Sequence, residues 1–370
     1  MPLRRLILTF QEFAANESAG GRLLFGCAVA ALLWSNSPWS RGYDTLFSHR
    51  AHFWINDVFM SLFFLLVGLE IKRELLMGEL ASPKQAALPV LAALGGVIVP
   101  ALLYAAFNGS GPGAPGWGIP MATDIAFVIG AMALLGSRVP LGLKIFLTAL
   151  AIADDIAAVV VIAIFYTRSL DVTALLIATS VLAMLIAACA MSVRHIPVFA
   201  ALGLILWFAV LQSGVHATIA GVVLAMTIPL ALLPRMERAL HPWVSFGIMP
   251  LFALANAGVA FAGAFRESQP VSLGVLCGLL FGKPIGILLA SWLAVSLRMA
   301  VLPAGVTWHH IHGAGWLGGI GFTMSLFIAG LAFGGGPMLT AAKAGILVGS
   351  AMAGVIGLLL LRRADVRTAA

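Results

Sequence analysis

The chain alternates long apolar segments with short polar connections, a pattern that predicts membrane-spanning helices. Apolar runs begin at about twelve places along the 370 residues, which agrees with roughly 30 residues for each span and its loop. They begin near Gly20, Trp54, Gln85, Ile119, Gly142, Val172, Pro197, Val215, Val244, Ser272, Trp316 and Ala341. The pattern therefore predicts an all-α polytopic membrane protein with about twelve transmembrane helices, in which residues 1–370 form a single membrane-embedded domain.

Composition and charge agree with this interpretation. Hydrophobic residues make up 61% of the chain and charged residues only 9%, whereas about 25% of residues are charged in an average soluble domain. The net charge of +7 would suggest a nucleic-acid partner in a soluble protein, but here the basic residues other than Lys283 fall in the loops between spans. Most of them fall on one side of the alternating spans, which the positive-inside rule assigns to the cytoplasm together with both termini. No nucleic-acid partner is therefore predicted.

One apolar run contains two adjacent carboxylates at its middle. It extends from Phe146 to Tyr166, has the length of a membrane span, and contains Asp154 and Asp155. An ionised aspartate at the centre of a bilayer costs about 3 kcal/mol, so a pair requires water, a cation or a counter-ion. Neighbouring helical residues point about 100° apart, so one carboxylate is expected to face a cavity while the other meets a different helix. A loop between two short helices is disfavoured because the flanks contain neither glycine nor proline.

Two glycine-rich regions interrupt the pattern of plain spans. They are NGSGPGAPGWGIPMATDIAFVIGAMALLG, from Asn108, and GAGWLGGIGFTMSLFIAGLAFGGG, from Gly313. Each contains the middle span of a three-span unit, and the two units enter the membrane from opposite sides. Inverted repeats with discontinuous helices are typical of secondary transporters, whose substrate site lies near the midplane where the repeats meet. Alternatively, the glycines of segment 318–321 only allow close helix packing.

Three residues near these features are candidates for ion binding or proton transfer. Asp124 lies where a proline and several glycines suggest an interrupted helix, so its carboxylate is expected to neutralise the positive end of a helix dipole. Thr123 offers a hydroxyl and a carbonyl oxygen to a hard cation, or is an ordinary helix hydroxyl. Lys283 lies deep in a span and needs helix-end carbonyls, a neutral form, or a carboxylate partner, either Asp154 or Asp155. Such a pair could exchange a proton, although a structural lysine is an equal alternative.

Charged residues also lie at the ends of the predicted spans. Asp57 begins the second span, where an acid is either interfacial or lines an aqueous funnel. Two groups are larger: Glu70, Lys72, Arg73 and Glu74 near the end of the second span, and Arg235, Glu237, Arg238 and His241 after the eighth. Solvated helix ends explain most such groups, but if these two face each other, protonation could shift helix packing and regulate activity. His216 is interpreted as a hydrogen-bonded core residue more than as a sensor.

Seven segments give the chain a resemblance to a known family. They are FFLLVGLEIKREL, PMATDIAFVIG, LTALAIADDIAAVVVIA, SGVHATIAGV, LHPWVSFGIMPLFALANAGV, GKPIGI and GGIGFTMSLFIA, in that order. On these segments the chain resembles the NhaA-type bacterial Na+/H+ antiporters, a family that is itself a standard example of the inverted-repeat fold, and the likeness covers nearly its whole length. The resemblance implies inverted three-helix repeats with two discontinuous, crossing helices, in the bacterial inner membrane.

The resemblance also implies an activity and its partners. The expected activity is electrogenic exchange of cytoplasmic Na+ or Li+ for external H+, in the service of pH and sodium homeostasis, with no cofactor. In this family the loop between the first two spans, here residues 36–53, can form a hairpin that joins a homodimer. A homodimer in the lipid bilayer is therefore expected.

The resemblance also implies roles for individual residues. Asp154 and Asp155 match the ion-binding pair of the family. Thr123 and Asp124 match its crossing broken helix, and Lys283 matches its buried lysine. The resemblance therefore places the Na+ ligands on the two acids of the span that contains both.

Two further matches concern access and regulation. Asp57 matches an acid of the cytoplasmic funnel. The pH-responsive region of the family matches Glu70, Arg73, Glu74, Glu237 and His241, and His216 is included as a further candidate. Directly after Glu237 this chain has Arg238, where the family pattern has histidine.

Two other classes of protein remain alternatives. A Na+-coupled solute symporter shares the inverted repeat, and proton release on adding Na+ alone would separate it from an antiporter. An intramembrane aspartyl protease or prenyl transferase would also use paired acids, but the chain has neither a GxGD string nor a second Asp-rich motif. The sequence therefore favours a transporter over an enzyme, with Na+ and protons competing for the same carboxylates.

Overall fold

The computed structural model describes residues 2–167 and 170–364, and every regular element in this part of the chain is helical. The α-helices are α1 Pro2–Ser35, α2 Ser40–Leu46, α3 His49–Phe53, α4 Met60–Met77, α5 Pro83–Asn108, α6 Ile125–Leu135, α7 Leu141–Phe165, α8 Val172–Ala190, α9 Ile196–Gln212, α10 Ile219–Thr227, α11 Leu233–Trp243, α12 Met249–Asn256, α13 Phe261–Glu267, α14 Gln269–Cys277, α15 Lys283–Ser296, α16 Trp308–Gly318, α17 Phe322–Phe333 and α18 Pro337–Arg363. Short 3-10 segments occur at Glu79–Ala81, Ala114–Met121 and Gly136–Arg138, and π-helical turns at Trp54–Phe59, Val244–Ile248 and Gly278–Gly282. The carboxyl-terminal residues 365–370, assigned to the cytoplasm above, lie outside the described residues.

Within the described residues, seven helical segments are long and apolar enough to cross a membrane, or eight if α16 and α17 form one bent span. Two further predicted spans are shorter apolar helices, Ala19–Ser35 and Ile196–Gln212. The predicted span near Val215 contains only the 9 residues of α10, and the one near Val244 begins at a π-helical turn. An all-α, multi-pass architecture is therefore confirmed, whereas the number of twelve spans stays a prediction.

Glycines bring α5 and α15 into backbone contact. A Cβ atom added at Gly95 would overlap the carbonyl oxygen of Gly286, and one added at Gly286 would overlap that of Gly95. Small residues allow this close approach in membrane proteins, where helices associate by packing rather than by exclusion of water. Gly96 leaves space for Lys283, whose Nζ would lie 3.3 Å from an added Cβ atom. The helix interface therefore has room for a buried lysine.

Both glycine-rich regions are interrupted, as the sequence predicted. In the first, the 3-10 segment Ala114–Met121 is followed by an extended stretch, and α6 begins only at Ile125. In the second, α16 ends at Gly318 and α17 begins at Phe322, with a bend of 43° between them. Each interruption exposes backbone groups that a continuous helix would have paired internally, so these groups need partners from elsewhere.

The connection between the first two spans differs from the expectation. Residues 36–53 form α2 and α3 and not a hairpin. Tyr43 of α2 is buried, and its hydroxyl oxygen lies 2.8 Å and 2.9 Å from the carbonyl oxygens of Leu254 and Ala255. The backbone N–H of Gly258 donates to the same hydroxyl at 3.1 Å. These contacts fix the segment as a helix against the end of α12, so the predicted hairpin is wrong.

Candidate functional site

Asp124 connects the two interruptions. Its backbone N–H donates to the carbonyl oxygen of Ile320 at 2.7 Å. Its carboxylate caps α6 by accepting from the N–H of Phe127 at 3.3 Å, and it also accepts from the N–H of Thr323 in α17 at 3.0 Å. The hydroxyl of Thr323 donates to the same carboxylate oxygen. Asp124 therefore lies at the positive ends of two helices, where a negative charge is stabilised.

Hydroxyl groups fasten each interruption to the other. Thr123 Oγ1 lies 2.8 Å from the carbonyl oxygen of Gly318, at the end of α16. Ser325 Oγ in α17 donates to the carbonyl oxygen of Ile119, within the 3-10 segment, at 2.7 Å. Each hydroxyl thus provides a partner for a carbonyl that the interruption leaves without a helical one. The two regions therefore form a joined unit, and their glycines do more than allow close packing.

The two adjacent acids of α7 have different surroundings. The helix is continuous from Leu141 to Phe165, and both Asp154 and Asp155 are buried at its middle. Asp154 Oδ2 accepts a hydrogen bond from Lys283 Nζ and lies 2.6 Å from Thr123 Oγ1. Asp155 lines a cavity. The predicted division between a cavity and a partner helix is confirmed, and the partner of Lys283 is Asp154.

Lys283 is fully buried at the first position of α15, directly after the π-helical turn Gly278–Gly282. Such turns occur frequently at functional sites, because the extra residue redirects the side chains that follow. A charged lysine at this depth requires an opposite charge, and Asp154 supplies it. The pair is neutral overall whether the proton is on the lysine or on the carboxyl group. Lys283 is therefore held by a carboxylate that can also accept its proton.

A cavity of about 50 Å³ lies beside Asp155. The polar side chains that line it are Glu70, Thr123, Asp124, Asp155, Ser245 and Thr323. One water needs about 10–15 Å³ of such volume, so the cavity has room for a few waters or a partly hydrated cation. Carboxylate, hydroxyl and carbonyl oxygens are the ligands that hard cations accept. Asp154 is not among the residues that line this cavity, but its Oδ1 has no hydrogen-bond partner among the described residues.

The buried acids near the cavity differ in the positive groups that stabilise them. Lys283 neutralises Asp154, and two helix ends stabilise Asp124. No basic side chain in the described part of the chain forms an ion pair with Asp155. An ionised carboxylate without a partner is costly to bury, and protonation or a bound cation removes that cost. The arrangement can therefore hold either a proton or a cation at Asp155.

The two predicted charge groups face each other. Arg73 Nη1 donates to Glu237 Oε2 at 2.7 Å, and Arg73 Nη2 lies 3.7 Å from Glu74 Oε1. Burial raises the pKa of the Glu237 carboxyl group, while the charge and hydrogen bond of Arg73 and the charge of His241 oppose this rise. Glu237 Oε1 is buried with no hydrogen-bond partner among the described residues. The sequence analysis predicted regulation only if these two groups face each other, and the structure shows this contact.

Other members of these groups have separate contacts. Glu70 lines the cavity beside Asp155 and so connects the charge groups to it. Lys72 Nζ donates to two carbonyl oxygens at the end of α10, at 2.6 and 2.7 Å, which caps that helix. Arg238 is exposed and donates from Nε to a carbonyl oxygen of its own helix at 2.9 Å. The residue that replaces the histidine of the family pattern therefore lies on the exposed side of α11.

Asp57 lies far from Glu70 and Arg73, although all three belong to the segment His49–Met77. Asp57 is in the π-helical turn before α4, and the 13 residues to Glu70 span about 20 Å at the rise of an α-helix. His216 Nε2 lies 3.6 Å from Asp57 Oδ1, and His216 Nδ1 lies 2.8 Å from Thr218 Oγ1. His216 is therefore half-buried and hydrogen-bonded, and its part in a pH response stays a prediction. The positive-inside rule places Arg73 in the cytoplasm and so conflicts with a cytoplasmic funnel at Asp57, and the assignment of Asp57 to that funnel stays a prediction.

The sequence did not single out Thr323 or Ser350. Ser350 of α18 is buried, and its Oγ accepts from the backbone N–H groups of Gly321 and Phe322, each at 3.2 Å. These N–H groups belong to the start of α17 and have no partner within that helix. A hydroxyl directly after a glycine-rich interruption, as at Thr123, was a signal for Thr323. Ser350 lies within an apolar helix, where nothing in the pattern distinguished it.

Comparison with known proteins places the chain among transporters. The family model described as "Na+/H+ antiporter 1" matches residues 11–361, a range that includes both interruptions, α7 and Lys283. "Na(+)/H(+) antiporter NhaA 1" of Syntrophotalea carbinolica is 50% identical over 383 residues, covering 97% of each chain. "Na(+)/H(+) antiporter NhaA" of Escherichia coli O1:K1 is 49% identical over 376 residues, covering 95% of this chain and 97% of the relative. The relative of the same name from Koribacter versatilis is 45% identical over 423 residues, covering 98% and 93%.

Proposed function

Because the chain belongs to the NhaA-type Na+/H+ antiporter family, we propose that it is a secondary transporter that exchanges cytoplasmic Na+ or Li+ for external H+. The observation that carries this proposal is the position of Asp155, which lines a cavity beside the neutral pair of Asp154 and Lys283 and has no ion-pair partner among the described residues. Such a carboxylate takes either a cation or a proton. The activity requires no cofactor, since the transported ions supply the driving force.

We assign the ion site to oxygen atoms around this cavity. Asp155 holds most of the ion, and Asp154 Oδ1 and Thr123 supply further oxygens. Asp124 and Thr323 keep the two interruptions together at the same cavity. The cavity also reaches Glu70, near the end of α4 that contains Arg73. This position supports access from the cytoplasmic side in the present conformation.

Competition between the ions accounts for the coupling. A protonated carboxyl group is a poor ligand for Na+, so Asp155 holds one ion or the other. The empty, ionised form carries an uncompensated buried charge, which disfavours its passage between the two open states. The loaded forms cross more readily, and each crossing therefore moves Na+ in one direction or protons in the other. Transport follows whichever gradient is steeper.

We further propose that the exchange is electrogenic. Lys283 loses its proton when the pair with Asp154 opens, so one proton travels on Lys283 and another on Asp155 for each Na+. Each cycle then moves net positive charge inward. A membrane potential of 100 mV, negative inside, contributes about 2.3 kcal/mol per net charge. The potential can therefore drive Na+ out of the cell.

The expected physiological role is pH and sodium homeostasis at the bacterial inner membrane, with both termini in the cytoplasm. The contact of Arg73 with Glu237 and Glu74, with His241 nearby, supports a pH-responsive region at one end of α4 and α11. Glu70, which lines the ion cavity, links this region to the site. His216 and Asp57 form a second candidate pair on the external side.

The chain is proposed to work as one membrane-embedded unit, since α7 and the two interruptions, which lie far apart in the sequence, meet at the ion cavity. A homodimer, expected from the family resemblance, would have to pair through helical surfaces, because residues 36–53 form α2 and α3. The mass of the detergent-solubilised protein, measured by light scattering with the detergent contribution subtracted, tests this state directly.

Collapse of a proton gradient in inverted membrane vesicles tests the proposed exchange. Adding Na+ or Li+ alone should release protons from acidified vesicles that contain the protein, while K+ should not. A Na+-coupled solute symporter would give no response until its solute is also present. An intramembrane enzyme would give no response to any of these additions.

A further inference from the structure

A second cavity of about 750 Å³ lies next to the ion cavity and is open at the surface of the protein. It is bounded by α1, α6, the start of α17 and α18, and Gly21 of α1 lines both cavities. Two residues of its lining, Phe25 and Leu134, are 59% and 76% exposed, so the cavity is a groove at the surface that faces the bilayer. Its walls are apolar apart from Arg22 and Ser350.

The groove has the size and length of a lipid chain. Its volume lies within the range of about 300–1,000 Å³ that is typical of ligand sites. Arg22, Phe25, Ala28 and Leu32 lie along the face of α1 that lines the groove. The distance from Arg22 to Leu32 is about 15 Å at 1.5 Å per residue, which is half of a hydrocarbon core of about 30 Å. An acyl chain of a single leaflet therefore fits along α1.

The charge at one end of the groove identifies the headgroup. Arg22 is exposed and lies in the first turn of the apolar segment Ala19–Ser35. A long arginine side chain at this position keeps its guanidinium group in water or among lipid headgroups. No acidic side chain is found among the described residues that line the groove. Arginine binds phosphate through paired, charge-assisted hydrogen bonds, so the complementary ligand is anionic.

We propose that this groove binds an anionic phospholipid, with its phosphate on Arg22 and one acyl chain along α1 between α6 and α18. The inner wall of the groove includes Phe127, Ile320 and Phe322, which flank the two interruptions. The rings of Phe127 and Phe322 are 4.9 Å apart, and the N–H of Phe127 donates to Asp124. The bound chain therefore packs against the back of the ion site. This lipid site is a feature separate from the transport activity proposed above.

Two pairs of variants separate the acyl chain from the headgroup. A Cβ atom added at Gly130, which lines the groove, meets no atom within 4 Å, so Gly130→Leu fits without a backbone clash and fills the groove. Gly26→Leu is its control, because Gly26 has the same open space but does not line the groove. Arg22→Gln removes the headgroup contact, and Arg138→Gln removes an exposed arginine elsewhere.

Native mass spectrometry of the purified protein, incubated with phosphatidylglycerol or phosphatidylcholine, measures the bound lipid. The unaltered protein and both controls should retain phosphatidylglycerol, and Gly130→Leu should lose it. Arg22→Gln should bind phosphatidylglycerol about fivefold more weakly, as expected for one basic residue, with phosphatidylcholine unaffected. Thermal unfolding of each variant verifies that it is folded.

Equal retention of phosphatidylglycerol by Gly130→Leu and Gly26→Leu would overturn the proposal. So would a loss of homodimer, in place of a loss of lipid, in Gly130→Leu, because the groove would then be covered by a second copy of the chain. The readout is bound lipid and not transport, so failure of the antiport proposal would leave this result interpretable.

Discussion

Lys283 donates a hydrogen bond to Oδ2 of Asp154 within a fully buried pair, while Oδ1 of the same carboxylate has no partner among the described residues. This relationship divides the two acids of α7 into distinct roles. Asp154 is neutralised by the lysine, and Asp155 next to it lines the cavity with no ion-pair partner in the described part of the chain.

Asp155→Asn should abolish Na+-dependent proton movement and leave a folded, membrane-inserted protein. The amide keeps the size of the carboxylate but cannot ionise to hold a cation or carry a proton. Proton-gradient collapse in inverted vesicles measures the loss, and the melting temperature verifies the fold. Asp44→Asn, at an exposed residue of α2, is the matched control and should retain activity. Normal exchange by Asp155→Asn would exclude Asp155 as the ion-binding residue.

Lys283→Gln should make any remaining exchange electroneutral. The variant lacks one of the two proposed proton carriers, so the contribution of about 2.3 kcal/mol per net charge at 100 mV disappears. Proteoliposomes with a fixed pH gradient and a potassium diffusion potential measure the response. Lys84→Gln, near the start of α5, serves as the control and should still accelerate with potential.

The same variant also tests the structural alternative for Lys283. If the lysine only neutralises helix ends or Asp154, the remaining transport of Lys283→Gln would still respond to the potential. That outcome would rule out Lys283 as a proton carrier. Reduced stability alone decides nothing here, because removing one partner of a buried pair destabilises the protein in either case.

Ser350→Ala should destabilise the protein by about 1–2 kcal/mol, the usual cost of losing a helix cap. Its hydroxyl accepts from two N–H groups at the start of α17, and alanine leaves both unpaired. Ser291→Ala is the matched control, because Ser291 Oγ is buried with no hydrogen-bond partner among the described residues. Thermal unfolding in one detergent compares them, and equal stability of the two variants would contradict the capping role.

Glu237→Gln should flatten the dependence of stability on pH above the usual range of a carboxyl group. Since burial raises the pKa of Glu237, the folded protein keeps this proton at pH values where the unfolded chain has released it. The contribution of Glu237 to stability is therefore full at low pH and is lost as pH rises through the raised pKa. Melting temperatures from pH 4 upward measure the slope, with Glu79→Gln as the control. An unchanged slope in Glu237→Gln would contradict a raised pKa of the Glu237 carboxyl group.

The sequence predicted the features that depend on hydrophobic period and on helix breakers. The unbroken α7 and the two interrupted regions follow from the apolar runs and from the positions of glycine and proline. The separate surroundings of Asp154 and Asp155 follow from the angle between neighbouring helical residues. These properties depend on residues that are close together in the sequence, so the sequence alone is sufficient to infer them.

Features that depend on contacts between distant segments could not be predicted. Nothing near Ser350 indicates that it caps a helix almost 30 residues before it, and the choice of Asp154 over Asp155 by Lys283 depends on how α15 is rotated. A π-helical turn directly precedes Lys283, and no residue pattern predicted it. The helices formed by residues 36–53 depend on the burial of Tyr43 against a segment more than 200 residues away.

Isothermal titration of Na+ into the purified protein at several pH values tests the central claim most directly, which is that Na+ and protons compete for Asp155. Lower pH should weaken the apparent Na+ affinity steadily, by up to about tenfold per pH unit for one competing proton. Repeating the titration in two buffers with different heats of ionisation should show that protons are released as Na+ binds. A Na+ affinity independent of pH, without proton release, would contradict the account.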